Sequence, residues 1–345
     1  MDPLTHLLLG GSVGYAAFGR KLGAHAAGLG MLAGVLPDVD SVIRSGEDPL
    51  LAIEYHRHFT HSLFIVPLGG LVAVLPWLAT ARFRAQWLVV WACAALAYLS
   101  HCLLDAATTY GTQLLRPFSD ARFGWDLISI VDPVFTLALL VGLVIGLVRS
   151  KPRIVAASLT FCAAYLVLGG MQQFRAAQAQ GELAASRGHR IERRQVMPTL
   201  ANNIVWRTLY LRDGRIYSDR VRVGWFSSPT TLIGSSLPMV TVEDLTEVEV
   251  QGNGKRRSFE RFAWFSNGWV ARSPGDETVL GDMRYSLSLD AFDPIWGIRL
   301  GGAGATNGVE WVSRTRDRKL ELSRLWQEIT GRHPGYVAVS GRVRE

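Results

Sequence analysis

The feature that most constrains this chain is a series of long apolar runs confined to its first half. Ser62–Ala79 and Ala85–Leu104 each hold about 18–20 residues, enough to cross a bilayer as helices. Pro133–Val148 and Ile154–Met171 follow them. Two earlier runs, His6–Phe18 and Leu22–Leu36, are short for full spans and suit tilted, partly buried or re-entrant segments. Their glycines (Gly10 and Gly14, Gly30 and Gly34) fall at small-xxx-small spacing, which permits close helix packing. No basic n-region or cleavage site marks a signal peptide, so no cleaved leader is expected.

Charge divides the 345 residues at the same place. Residues 1–172 hold 10 acidic and 11 basic side chains, and residues 173–345 hold 19 and 25. The expected fold is an all-α membrane helical bundle of about four to six membrane segments, followed by a small soluble α+β domain. The expected divisions are a membrane-embedded domain over 1–172, a linker or helical extension over 173–196, and a soluble domain over 197–345. The net charge of +7 suggests nucleic acid, but the basic residues are scattered, and no nucleic-acid partner is expected. The three cysteines lie in apolar stretches without thiolate-site spacing.

The same charges predict sidedness. Arg20-Lys21, Arg82–Arg84 and Arg149–Arg153 hold seven basic residues and no acid. If six segments alternate, these loops share one face, which should be cytoplasmic. The opposite, extracytoplasmic face then receives the N-terminus, residues 37–61 and 105–132, and everything after 172. All ten acids of the first half fall there, with four of the histidines. The location read from this is a bacterial inner (plasma) membrane.

In the second half, Ile204–Leu211, an Asp213-Gly214 turn and Ile216–Val223 read as a β-hairpin. Glu243–Val250 is either a short helix or a strand. Lys255–Phe265 has helical apolar spacing. Trp269–Ser273, Thr278–Leu289, Ile295–Leu300 and Val309–Ser313 read as strands. Arg316–Thr330 reads as an amphipathic helix ended by Gly331.

Six of the eight histidines lie in the first 101 residues, five of them beside acids in a region that otherwise avoids charge. His6 opens the first run, as a polar end group or a ligand. Asp38 and Asp40, in Leu-Pro-Asp-Val-Asp, either cap a helix or serve a divalent cation. His56, Arg57, His58 and His61 precede a span. His61 is the favoured ligand and His56 the second, with His58 expected outside the ligand set. His101 and Asp105 stand four apart, one turn on the same helix face, where both reach one metal or simply bond each other. Asp132-Pro133 is explained as an N-cap and is kept only as a supporting group. The expected metal ligands are thus His6, Asp38, Asp40, His56, His61, His101 and Asp105. Asp38, Asp40 and Arg57 are the catalytic candidates, the arginine by bidentate pairing with a phosphate or else as a headgroup-facing charge. Thr60, Ser62 and Tyr110 are candidate donors behind the ligands. With imidazole and carboxylate ligands and no cysteinate, zinc is favoured over manganese or iron, as one or two ions.

MDPLTH, LPDVD, HRHFTHS and HCLLDAATTYGTQLLRPF, in that order and followed by Asp-Pro before a span, resemble the YdjM/YbcI-type membrane-bound metal-dependent hydrolases over roughly residues 1–170. NNIVWRTLY and DMRYSLSLD are similar to the C-terminal portion of longer members. The resemblance implies a membrane-bound metallohydrolase without naming its substrate. More distantly, the order His6, Asp38 or Asp40, His61, His101, Asp105 resembles the all-α zinc-dependent phospholipase C and single-strand nuclease superfamily. That likeness implies Asp105 bridging two metals and an LPDVD carboxylate as ligand or base. The superfamily's later His-x-x-x-Glu ligands have no counterpart after Asp105, and its N-terminal amine ligand is not expected of an uncleaved Met1.

The function expected is hydrolysis of a phosphoester by metal-activated water, on a lipid or lipid-linked substrate reached from the bilayer. The rivals are a non-enzymatic metal-stabilised scaffold or envelope-stress protein with a protein partner, and a transporter. A transporter predicts carboxylates deep within spans, and every acid of the first half sits at an expected end.

Overall fold

The apolar runs form helices whose ends are set by residues the sequence supplies. The computed structural model describes residues 1–251, 254–286, 292–301, 308–313 and 318–338, leaving aside the side chains of 248 and 318–321. Residues 287–289 and 316–317 of the expected strand and helix lie outside the described residues. Helix α1 (Pro3–Leu22) starts on Asp2, whose carboxylate accepts from the Thr5 amide at 3.0 Å, and stops at Gly23 with φ +62°. Helix α2 (His25–Val35) folds back onto α1. The two backbones touch: a Cβ on Gly10 would lie 2.2 Å from the Gly30 carbonyl oxygen, and one on Gly30 would lie 2.1 Å from that of Gly10. The glycine spacing is used for the close approach it permits.

A 3-10 turn over Leu36–Val42 follows, then α3 (Leu51–Tyr55) and a second 3-10 turn, Phe59–His61. Next come α4 (Val66–Leu78), α5 (Ala81–Arg84) and α6 (Trp87–Ala106). After an irregular stretch come α7 (Pro133–Val148) and α8 (Pro152–Ser186). Asp132 caps α7 by accepting from the Phe135 amide at 3.1 Å, and the Tyr165 hydroxyl donates to its other oxygen at 2.9 Å.

Among the described residues, two helices, α6 and α8, are long and apolar enough to cross a membrane. A third span counts if Leu51–His61 and α4 are taken together across their 84° bend. Four to six segments were expected. The difference has local causes. The Ser62–Ala79 run is broken, because Ser62–Ile65 leave the helix and only 13 residues of α4 continue. Helix α7 has 16 residues and α2 has 11. Thr5, His6, Ser12 and four glycines keep α1 less apolar than a span. Many large apolar side chains on these helices face outward, among them Leu75, Leu137, Val141, Phe161 and Val167, as lipid-facing surfaces do.

Packing divides the chain into two units. The first is Met1–Val42, Tyr55–Met171 and Leu200–Asn202; the second is Ile43–Glu54, Gln172–Thr199 and Asn203–Glu345. The first unit is helical, with Leu29, Val90, Cys93, Ala97 and Leu139 in its core. The polar stretch after Met171 is not a flexible linker, because α8 runs through it unbroken to Ser186.

The second unit is β-rich, with two antiparallel sheets. One has the order β1 (Arg193–Pro198), β2 (Val205–Arg212), β3 (Arg215–Arg222), β4 (Thr230–Leu232), with β5 (Ser236–Pro238) also on β3 and β10 (Val337–Ala338) on β4. The other runs β6 (Val270–Ser273), β7 (Asp276–Asp282), β8 (Trp296–Leu300), β9 (Val309–Ser313). Arg212 pairs with Arg215, so Asp213 and Gly214 form the hairpin turn, both at positive φ as a two-residue hairpin requires. Glu247–Val250 forms α9, Lys255–Phe265 forms α10, and α11 is Arg318–Thr330. Met197, Leu209 and Ile216 of the first sheet share a core with Ala271 of the second and with Trp269. Ala176 and Ala179 of α8 pack on Trp206 and Val221. Residues 43–54 are tied into this unit by Arg261 of α10, which reaches Asp48 at 2.9 Å and Glu54 at 2.5 Å.

Two outcomes follow from this packing. Gly10→Ala forces the α1–α2 backbones apart and lowers stability by about 1–3 kcal/mol, read as a lower unfolding midpoint of the detergent-solubilised protein. Arg261→Ala frees residues 43–54, and their amide hydrogen exchange rises roughly fivefold, equivalent to about 1 kcal/mol for a half-exposed bridge.

Candidate metal centre

Three pieces of chain, distant in sequence, bring acceptor atoms to one point in the first unit. The 3-10 turn after α2 supplies Asp38, the second 3-10 turn supplies His61, and the last turn of α6 supplies His101 and Asp105. One ligand atom from each lies within 4.8 Å of all the others. His61 Nε2 is 3.0 Å from His101 Nε2 and 3.2 Å from Asp105 Oδ2. His101 Nε2 is 3.5 Å from the same carboxylate oxygen, and Asp38 Oδ1 is 3.6 Å from both imidazole nitrogens.

The outer nitrogens of the two rings fix what the inner ones are. His101 Nδ1 faces the Gly34 carbonyl at 2.7 Å, and a carbonyl only accepts, so this nitrogen carries the proton. His61 Nδ1 is 3.1 Å from both Asp40 Oδ2 and Thr60 Oγ1, and since the Thr60 hydroxyl donates to Asp40, this nitrogen also carries its proton. In the neutral rings both Nε2 atoms then present lone pairs, and they point at each other and at two carboxylates. Asp105 Oδ2 is buried and accepts no aligned hydrogen bond, although Arg57 Nε stands 2.9 Å away. Four buried or half-buried acceptors facing one another call for positive charge; Arg57 and the Met1 amine meet Asp105, and a cation among the four would meet the rest. The spacing also fits a metal. Ligands at about 2.0–2.1 Å from a tetrahedral ion stand about 3.3–3.4 Å apart, inside the range of the gaps seen. The donor set, two imidazoles and two carboxylates, suits zinc and also manganese or iron.

Asp40 sits behind this cluster. Its Oδ1 accepts from His56 Nδ1 at 3.0 Å, and its Oδ2 accepts from the Arg57 amide at 2.8 Å and the Thr60 hydroxyl at 2.7 Å. Burial alone would raise its pKa; the donors His56, His61 and Thr60 outweigh that and hold the carboxyl well below the usual carboxylate range. Asp38, Asp40 and His56 make a second, more open group of possible ligands that shares Asp38 with the first. Asp38 is the exposed member of the four-residue cluster, with 23% of its side chain accessible, so solvent reaches the cluster from that side.

His6 lies beside the four-residue group, outside it. Its ring stacks on His101 with centroids 3.5 Å apart, and its Nε2 is 2.9 Å from Asp105 Oδ1. The Met1 amino group also meets Asp105 Oδ1 and lies 2.9 Å from His6 Nε2. The buried Arg57 turns inward: Nη1 donates to the Asp105 carbonyl at 3.2 Å and to Thr108 Oγ1 at 2.7 Å, and the guanidinium lies over the Tyr110 ring. Tyr110 also packs edge-on against His56. The Ser62 hydroxyl turns to the Arg116 carbonyl instead of the cluster. His58 packs on Tyr55 and Phe59 and belongs to neither group of possible ligands. Asp132 serves its capping role.

Sequence reasoning missed three participants. The Gly34 carbonyl that orients His101 carries no side-chain signal. The Tyr98 hydroxyl donates to the Thr60 carbonyl at 2.6 Å, one turn before His101 on α6. The Met1 amine was not expected near the ligands.

Residues 1–176 match the YdjM inner membrane protein family. The chain is 31% identical over 178 residues to the uncharacterized protein YfhP of Bacillus subtilis (strain 168), covering 49% of this chain and 52% of that protein. It is 31% identical over 134 residues to the inner membrane protein YbcI of Escherichia coli (strain K12), covering 37% of this chain and 75% of YbcI. The chain thus spans about half the length of YfhP. No solved structure matches it.

Asp40→Asn keeps the shape of the orienting group but weakens its hold on the His61 Nδ1 proton. Metal affinity is expected to fall about 10–100-fold with unchanged stoichiometry at saturation, measured by titration with a competing chelator.

Proposed function

The chain belongs to the YdjM inner membrane protein family, and from that premise we propose that it is a membrane-bound metal-dependent hydrolase acting on a phosphoester of a lipid or lipid-linked substrate. The observation that carries the reading is the convergence of Asp38, His61, His101 and Asp105, with both imidazole lone pairs turned inward. These four are the proposed ligands of one ion, zinc being favoured. Asp38, Asp40 and His56 are the proposed holders of a second, with His6 alongside Asp105. A metal held there would supply a Lewis acid and lower the pKa of a water.

The chain's own groups do the rest. Asp40 holds the His61 ring by its Nδ1 proton, and the Gly34 carbonyl holds that of His101. Asp38, on the accessible side, is placed to take a proton from the attacking water. Arg57 compensates the Asp105 charge, and its guanidinium is the proposed partner of a phosphoryl oxygen. An integral inner-membrane location follows from the family and the apolar helices. We place the metal centre and the β-rich unit on the extracytoplasmic side, which the seven basic residues of the short loops support. The proposed partners are bilayer lipids and no nucleic acid.

A second reading has one observation in its favour. Four protein donors are enough to close a tetrahedral shell, as in structural zinc sites that hold a scaffold together. Elemental analysis of the purified protein, beside His101→Ala and Asp105→Ala, separates the outcomes. Stoichiometric metal in the wild type, lost in both variants with the fold retained, is expected. Wild-type protein should then hydrolyse phosphodiester or lipid-phosphate substrates, with a loss of at least about 100-fold in each variant. Metal without hydrolysis favours the scaffold; no metal uptake overturns both.

A further inference from the structure

The β-rich unit carries an exposed aromatic pair. Phe226 is 100% exposed, and its neighbour Trp225 is 55% exposed. Trp225 and Phe226 lie in the loop between β3 and β4. The loop is not loosely held. Arg175 on α8 donates to the Gly224 carbonyl at 2.9 Å and to the Ser227 carbonyl at 2.6 Å, so one guanidinium brackets both aromatic residues. Gln172, one turn earlier, donates to the Val223 carbonyl at 2.8 Å and also binds Arg175. Trp225 Nε1 donates to Asn203 Oδ1 at 3.2 Å, which fixes the indole by its polar end and leaves its ring face open.

The helix that holds the loop sets its depth. The apolar run of α8 ends at Met171. Arg175 is four residues further on, about 6 Å along the axis at 1.5 Å per residue. The polar headgroup layer on each side of the hydrocarbon is about 5–8 Å thick. The backbone bound by Gln172 and Arg175 therefore lies at headgroup depth. Phe174, between them, is itself 65% exposed. An arginine with an apolar stem beside exposed Trp and Phe is the composition that proteins place at the membrane–water interface.

We propose that Trp225 and Phe226, stapled by Arg175, form a lipid-interface anchor through which the β-rich unit rests on the headgroup layer around α8. The occupant of this surface is phospholipid. The inference rests on the spanning helix alone and not on the hydrolase reading.

The test uses the full chain in nanodiscs of phosphatidylethanolamine and phosphatidylglycerol in equal parts. Phe226→Cys is labelled with bimane, and lipids spin-labelled near the headgroup end of the acyl chain serve as quenchers. Gly181→Cys is the reference, since a Cβ there meets nothing and the position lies about 15 Å beyond Met171 along the helix. Labelled wild type is the blank, its cysteines 93, 102 and 162 being buried. The expected result is blue-shifted emission at position 226 with lipid quenching at least about twofold stronger than at 181. Equal quenching at the two positions overturns the proposal. So does blue-shifted emission that lipid does not quench, which would mean a protein contact. Phe226 is fully exposed, so its replacement removes no packing; should the variant still fail to fold, Trp225→Cys carries the same probe.

Discussion

Two imidazole nitrogens, His61 Nε2 and His101 Nε2, face each other 3.0 Å apart, and the helical unit is arranged around that contact. Each ring is held from behind, one by the Asp40 carboxylate and the other by the Gly34 backbone. With the rings neutral, this arrangement favours positive charge beside the four acceptors, part of which Arg57 and the Met1 amine supply at Asp105. It also requires α2 to lie close against both α1 and α6, since Gly34 must reach His101 while His6 stacks on the same ring. Gly10 and Gly30, with nothing but hydrogen between their backbones, make that approach possible.

Delivering His56 to His61 to the cluster takes irregular backbone beside apolar helices, where unpaired amides and carbonyls are unfavourable. The chain answers each locally. Tyr98 donates to the Thr60 carbonyl, the Gln113 amide to the Arg57 carbonyl at 3.0 Å, and the Leu63 amide to the Leu114 carbonyl at 3.0 Å. The break between the second 3-10 turn and α4 is thus a supported feature, and it explains why an apolar run long enough for a span is not one straight helix. The Asp40 carboxylate does similar work by gathering donors from His56, Arg57, Thr60 and His61 onto one side chain.

Much of the architecture was legible because it depends on local chemistry. Asp2-Pro3 and Asp132-Pro133 start helices where an aspartate before a proline should. Asp213-Gly214 turns a hairpin whose strands have the expected partners, and Lys255–Phe265 is the helix its spacing describes. The number of spans was less legible, since hydropathy reports apolar length and not where a helix breaks. The polar stretch after Met171 left helical extension and linker open, because its small and polar residues are neutral between the two until Ala176 and Ala179 pack on Trp206.

At the candidate site the sequence by itself singled out the residues that the fold gathers, because histidines and acids stand out against an apolar background and His101 and Asp105 share a helix face at i and i+4. It could not determine their ranks. Asp38 and Asp40 are two residues apart and chemically identical, yet one turns to the imidazole lone pairs and the other to the ring proton behind them. Arg57 faces Asp105 instead of solvent, and His6 reaches the same carboxylate from another helix. Only the tertiary structure decided these, since each depends on distances between segments separated by tens of residues, which close packing sets and local sequence does not encode.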